Sequence, residues 1–261
     1  MTKRAETLRP CWWCGDVADT EEHKFKRSDL RRVAGASGSP QDVYKSSPTY
    51  TGTLKSLSKG SEIRWAKNLC AQCNNARSQP FDRAYDEFVN YVVENMDVLS
   101  GRDVLDWADV YGADWAQKVA DMSRYLVKQF GCQLATSNLP VPDGALRFLN
   151  GADCFPDCQF HLWRDWRAIE LHEEAMAEAP ETGGMSNYIG LPPTQSHSRD
   201  GLFVGAEYGL QLGYVWLTLG WLVDAPTLPL HVERTTPMPL LDADARSQAE
   251  WRRLRREVEK P

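Results

Sequence analysis

Cys11 and Cys14 in CWWC, and Cys70 and Cys73 in CAQC, form two C-x2-C knuckles on one chain. Together they supply four thiolates, the donor set of a tetrahedral zinc ion. A site of that kind is closed to reactants, so its role is structural: it clamps the two segments that carry it. Glu22 and His23 follow the first knuckle, and Asn74 follows Cys73 directly. Clamping therefore brings a carboxylate, an imidazole and an amide oxygen near one another. The two oxygens are hard donors suited to Mg²⁺, and the imidazole can take a proton from water. The run KFKRSDLRR adds Lys24, Lys26, Arg27, Arg31 and Arg32, and several cations on one short segment suit a polyanion. A hard ion, a base and a positive surface are the minimum needed to hydrolyse a phosphodiester.

Each of these residues also has a plainer use. Asn74 and Asn68 can serve in caps and turns, His23 can be a surface histidine, and the cations can solvate a loop. A second group, Cys154, Cys158 and His161 with Cys132 as a fourth partner, has C-x3-C-x2-H spacing. That spacing is tolerable for zinc, but core cysteines commonly act as small hydrophobes.

The elements that must position these residues are uneven in strength. Residues 33–62, between the knuckles, are rich in Gly, Ser, Thr and Lys and lack hydrophobic periodicity, so they read as a flexible loop or a weak hairpin. Phe81, Tyr85, Phe88, Val92 and Met96 recur at helical spacing, with Ser78 or Asp82 able to cap. SGRD at 100–103 marks a break, giving parts 1–99 and 100–261. A second helix carries Trp115, Val119, Met122, Leu126 and Phe130 on one face, with Gly131 suited to its end. A third is expected over 163–179. From 187 to about 240, short apolar runs separated by Gly and Pro read as antiparallel strands, and a charged helix closes the chain. The fold class expected is α+β.

The 261 residues carry a net charge of -6, unevenly spread. Residues 1–80 hold 14 Lys and Arg against 8 Asp and Glu, while residues 81–261 hold 16 against 28. A basic N-terminal part on an acidic body fits polyanion contact localised at one end. The opening MTKRAETLRP has no apolar core of a secretory signal, and Gly209 to Val223 is too short to span a bilayer comfortably. No membrane association is expected. Seven cysteines without such a signal point to a reducing, cytoplasmic setting, where paired cysteines more often bind metal.

The pattern CWWCG, EEH and NLCAQCNN over about residues 8–90 resembles the HNH, or ββα-metal, endonucleases, in the subgroup with a four-cysteine zinc and Asn after the last cysteine. The resemblance implies a β-hairpin carrying the acidic residue and the histidine, followed by a helix carrying the last metal ligand. His23 would be the general base. Glu22 would stand where Asp is more usual and, with Asn74, would hold one catalytic Mg²⁺ or Mn²⁺. Asn68 would take the place of the family's middle Asn, which orients the histidine. The neighbours Glu21 and Asn75 offer the same ligand chemistry.

The function expected is metal-dependent hydrolysis of DNA, with RNA left open, yielding 5′-phosphate and 3′-hydroxyl ends. The second part would contribute target choice, regulation or dimerisation, the last making a homodimer. The rival is a zinc-ribbon nucleic-acid-binding module in which His23 has no chemical role.

Overall fold

The computed structural model describes residues 9–182, 188–192, 195–225 and 233–241. The chain is mixed helix and antiparallel sheet, as the α+β expectation had it. The charged C-terminal helix expected after residue 241 lies outside the described residues. Among those described, no helix is long and apolar enough to cross a membrane.

Strand β1 (Thr20–His23) pairs antiparallel with β4 (Arg64–Leu69), so the two knuckles flank a two-stranded ribbon. The segment joining the strands holds helix α1 (Arg27–Val33) and a hairpin of β2 (Tyr44–Ser47) and β3 (Tyr50–Thr53). Of the two expectations for this insert, the hairpin is the one present. It carries a small core of its own, in which Phe25, Leu30, Val43, Leu54, Leu57 and Ile63 are buried together. These apolar residues are scattered without period, which hides such a core from a sequence reading.

After Cys70 the chain makes a wide helical turn over Gln72–Arg77 and runs into α2 (Gln79–Glu94). Pro80 suits the first turn of α2, where an N–H would lack an intrahelical partner. Phe81, Tyr85, Phe88 and Val92 are buried at the expected spacing, and Met96 opens the short α3 (Met96–Leu99). Strand β5 (Val104–Asp106) and α4 (Trp107–Tyr111) lead to α5 (Trp115–Thr136), the longest helix described. Gly131 does not end α5. A Cβ there would sit 2.4 Å from the Trp12 ring, so this glycine lets the first knuckle pack against the helix.

Helix α6 (Asp143–Leu149) precedes β6 (Cys158–Asp165) and α7 (Trp166–Glu178). The helix expected from residue 163 therefore starts at Trp166, where the Asp165 carboxylate accepts from the Arg167 N–H as a cap. Residues 163–165 extend β6 instead, pairing with β10. Strands β7 (Ile189–Gly190), β8 (Gln195–Arg199), β9 (Leu202–Leu212) and β10 (Val215–Leu222) pair antiparallel around β9. Strand β11 (Thr235–Pro237) pairs with β5, and β12 (Leu240–Leu241) runs parallel to β6. Residues from both sides of residue 100 enter one buried cluster that extends from Cys11 to Met238. Helix α5 passes through its middle and is buried almost all round between Tyr125 and Leu134.

Candidate metal centre and adjoining cleft

The four cysteines of the two knuckles converge. Their sulfurs all lie within 4.8 Å of one another, and Cys14 Sγ is 3.5 Å from Cys70 Sγ. A tetrahedron of 2.3 Å Zn–S bonds has edges of about 3.8 Å, so the donor set fits a closed structural metal site of the kind zinc takes. None of the seven cysteines forms a disulfide. Burial pushes the Cys14 thiol up to about 11, so metal binding there must displace protons. Arg77 donates to Cys73 Sγ at 3.5 Å and stacks over Trp13, which places a positive charge beside the thiolates.

The clamp aligns three local devices. The Asp19 carboxylate accepts from the Ala71 N–H at 2.9 Å, Thr20 Oγ1 donates to Leu69 O at 2.8 Å, and Asn74 Nδ2 donates to Thr20 Oγ1 at 3.2 Å. Strand β1 is thereby fixed against the turn that carries Asn74. Register irregularities fall between Thr20 and Glu21 and between Glu21 and His23. A regular pleat would send Glu22 and His23 to opposite faces, whereas a bulge re-aims side chains. Both line one cleft of about 680 Å³, together with Asp19, Lys26, Arg27, Arg64, Lys67, Asn74, Asn75 and Asp82.

Within the cleft, His23 Nε2, Arg64 Nε and Asn74 Oδ1 are buried without a hydrogen-bond partner. Buried polar atoms are nearly always paired, so orphans in one cleft call for an explanation. His23 Nε2 is thus a buried ring nitrogen without a partner, on a residue that lines the cleft. The Ser58 backbone lies beside the His23 ring and partly offsets the downward shift of its pKa. Ser56 Oγ accepts from the Ser58 and Lys59 N–H groups at 3.1 Å each, which holds the Ser58 backbone in place. Burial, Arg64 and Arg27 lower the His23 pKa to about 4, so the ring is neutral at pH 7.

The remaining expected site residues separate. Asn68 is buried with Nδ2 donating to Cys132 O at 2.8 Å and Thr136 Oγ1 at 3.2 Å, so its side chain joins β4 to α5. Glu22 is buried, and its Oε1 lies 3.1 Å from Lys128 Nζ and 2.9 Å from Gln129 Nε2. Of the five cations expected to contact phosphate, Lys26 and Arg27 line the cleft. Lys26 also pairs with Asp86 at 2.7 Å. Lys24 donates to Ser61 O over the Trp65 ring, Arg32 is held by Asp29 and Asn90, and Arg31 is exposed away from the cleft.

Arg64, Lys67, Asp82, Ser58 and Lys128 escaped the sequence reading. Arg64 and Lys67 had a signal, since a strand leading into the second knuckle must lie beside the one leaving the first. The others had none, because their relation to His23 and Glu22 exists only in three dimensions. Among described residues the four knuckle cysteines are the sole group of three or more His, Cys, Asp or Glu side chains placed to share one ion; Cys132, Cys154, Cys158 and His161 form no second one.

Compared with known proteins, the chain matches no family model, no curated protein and no solved structure.

Proposed function

We propose that the cleft beside the cysteine clamp is the active site of a metal-dependent endonuclease of the HNH type, acting on DNA. The observation that carries this reading is the pair of orphaned atoms, His23 Nε2 and Asn74 Oδ1, on the walls of one basic-edged cleft. A base needs a free lone pair in the site, and a metal ligand needs an oxygen not already engaged. In support, β1 and β4 pair antiparallel and α2 follows the second knuckle, although α1, β2 and β3 stand between the paired strands where the resemblance implies a plain hairpin.

The residues fit a hard divalent ion. Asn74 Oδ1 has no partner, and both close contacts of Glu22 fall on Oε1. When bound, Mg²⁺ or Mn²⁺ would neutralise charge on the scissile phosphate and on the leaving 3′ oxygen. His23 Nε2 takes the proton of the attacking water. Arg64, Arg27 and Lys67 supply positive charge along the cleft, with Arg64 Nε–H a free donor for a phosphate oxygen. Attack at phosphorus with loss of the 3′ oxygen leaves 5′-phosphate and 3′-hydroxyl ends.

The test is nicking of supercoiled plasmid and of a branched duplex with Mg²⁺, with Mn²⁺ and with chelator. His23→Ala is expected to lose about 10²–10⁴ of the rate while keeping the fold and the structural metal. Equal cleavage by both proteins would eliminate His23 as the base. DNA binding insensitive to Mg²⁺, with no cleavage by wild type, would instead establish a zinc-ribbon binding module.

A further inference from the structure

Lys128 lies on α5, outside the segment whose sequence resembles a nuclease, and its side chain is 0% exposed. Its ammonium is 3.1 Å from Glu22 Oε1, 3.1 Å from Asp82 Oδ1 and 3.3 Å from Ser78 Oγ. The contacts to Asp82 and Ser78 are hydrogen bonds, and the contact to Glu22 is an ion pair. The partners divide between the two elements that make the candidate site. Glu22 is on β1, beside His23. Ser78 and Asp82 belong to the entry of α2, where Ser78 Oγ also donates to Asn74 O at 2.8 Å and lies 3.1 Å from Asp82 Oδ2. The next residue on α5, Gln129, gives a second contact to the same Glu22 oxygen.

We propose that Lys128 is a positioning residue of the divalent-ion site: a fixed cation, supplied by the second part of the chain, that sets Glu22 and Asn74 at the separation one ion requires. The proposal rests on the endonuclease reading and deepens it. Direct packing of β1 on α2 would leave Glu22 and Asp82 facing each other without a counter-charge. With Lys128 between them, Oε1 of Glu22 is tethered and Oε2 remains for a ligand. The backbone carrying Asn74 is tied to the same tripod through Ser78. An ion pair this buried is a poor way to gain stability alone, because desolvating the charges offsets much of the attraction. Its value lies in geometry. Lys128 therefore touches neither water nor phosphate and acts through Glu22.

The experiment uses the full chain with its structural metal loaded. Mn²⁺ binding is followed by electron paramagnetic resonance, alongside the Mg²⁺ dependence of nicking and thermal unfolding. In Lys128→Met the Mn²⁺ dissociation constant is expected to rise at least tenfold, with the half-saturating Mg²⁺ moving by the same factor. A purely structural lysine would lower the unfolding temperature and leave both metal readouts in place. If Lys128→Met does not fold, Lys128→Met/Asp82→Asn removes one stranded carboxylate, keeps Glu22, and carries the same measurement. Unchanged Mn²⁺ affinity in either folded variant overturns the role of Lys128 and leaves the nuclease reading intact. Failure of wild type to bind Mn²⁺ beyond the cysteine site overturns both.

Discussion

Two regions of this protein are rich in cysteine, and they behave differently. At the knuckles, Cys11, Cys14, Cys70 and Cys73 bring their sulfurs together, and Asn74, next to Cys73, lines a cleft whose residues hold three buried polar atoms without partners. In the body, Cys132 on α5 and Cys158 on β6 are fully buried in the main apolar cluster, and burial pushes both thiols up. Burial is shared, although Cys14 of the first region is exposed. Only the first converges. Burial by itself makes a cysteine a small hydrophobe, and convergence of four makes a metal site. The free hydrogen-bonding capacity beside the first region is what a ligand would use.

The sharpest way to break this comparison is to remove the metal. Cys73→Ser, or strong chelation, should abolish cooperative folding of the β1–β4–α2 region, since structural zinc contributes roughly 10–16 kcal/mol to small domains. Cys158→Ala should cost only about 1–2 kcal/mol as a truncated core side chain. Elemental analysis should find one zinc held by cysteines per chain; a second zinc that persists in Asn74→Ala would show that Cys132, Cys154 and Cys158 converge in solution.

A finer test sets the two asparagines against each other. Asn74→Ala is expected to lower the cleavage rate about a hundredfold, with a stability loss of about 1 kcal/mol from its bond to Thr20, smaller than that of Asn68→Ala. Asn68→Ala should do the reverse, losing about 1–3 kcal/mol of stability because Cys132 O and Thr136 Oγ1 lose a buried donor. Matching effects on both readouts would mean that Asn68 also serves the site.

The smallest expected effect is in pH. With His23 held down to about 4 by burial and by Arg64 and Arg27, the acid limb of kcat/KM should fall near pH 4, well below the ordinary histidine value of 6.5. The sign for stability follows from the same shift. Below pH 6.5 the unfolded chain takes up a proton that the folded ring refuses, so the His23 contribution to stability falls as pH drops from 6.5 and levels off below 4. An acid limb at 6.5 would mean that the ring is far more solvated than the cleft geometry implies.

Much of the site was legible because its signals are local in the chain. The C-x2-C spacing announces a knuckle whatever surrounds it, and Glu22, His23 and Asn74 stand at short offsets from the knuckles. Helix α2 was legible for the same reason, since a 3.6-residue period shows in a single window. The insert was not. Its core residues, from Phe25 to Ile63, have no period because they belong to a helix, turns and a hairpin that fold onto each other. Gly131 misled for a related reason. Glycine is enriched past helix ends, yet here it makes room for Trp12, more than a hundred residues away in the chain.

By itself, then, the sequence determined which atoms are available: four thiolates, an imidazole, a carboxylate, an amide oxygen and a surplus of positive charge near one end. Tertiary structure alone decided which of them face the cleft. Asn68 and Asn74 have identical side chains and lie six residues apart, yet the first is bonded to α5 while the second keeps a free oxygen in the cleft. Only the fold brings Lys128 to Glu22 and Asp82. The physical reason is that hydrogen bonds and ion pairs act over about 3 Å of space, and sequence separation does not constrain that distance until a core has closed around it.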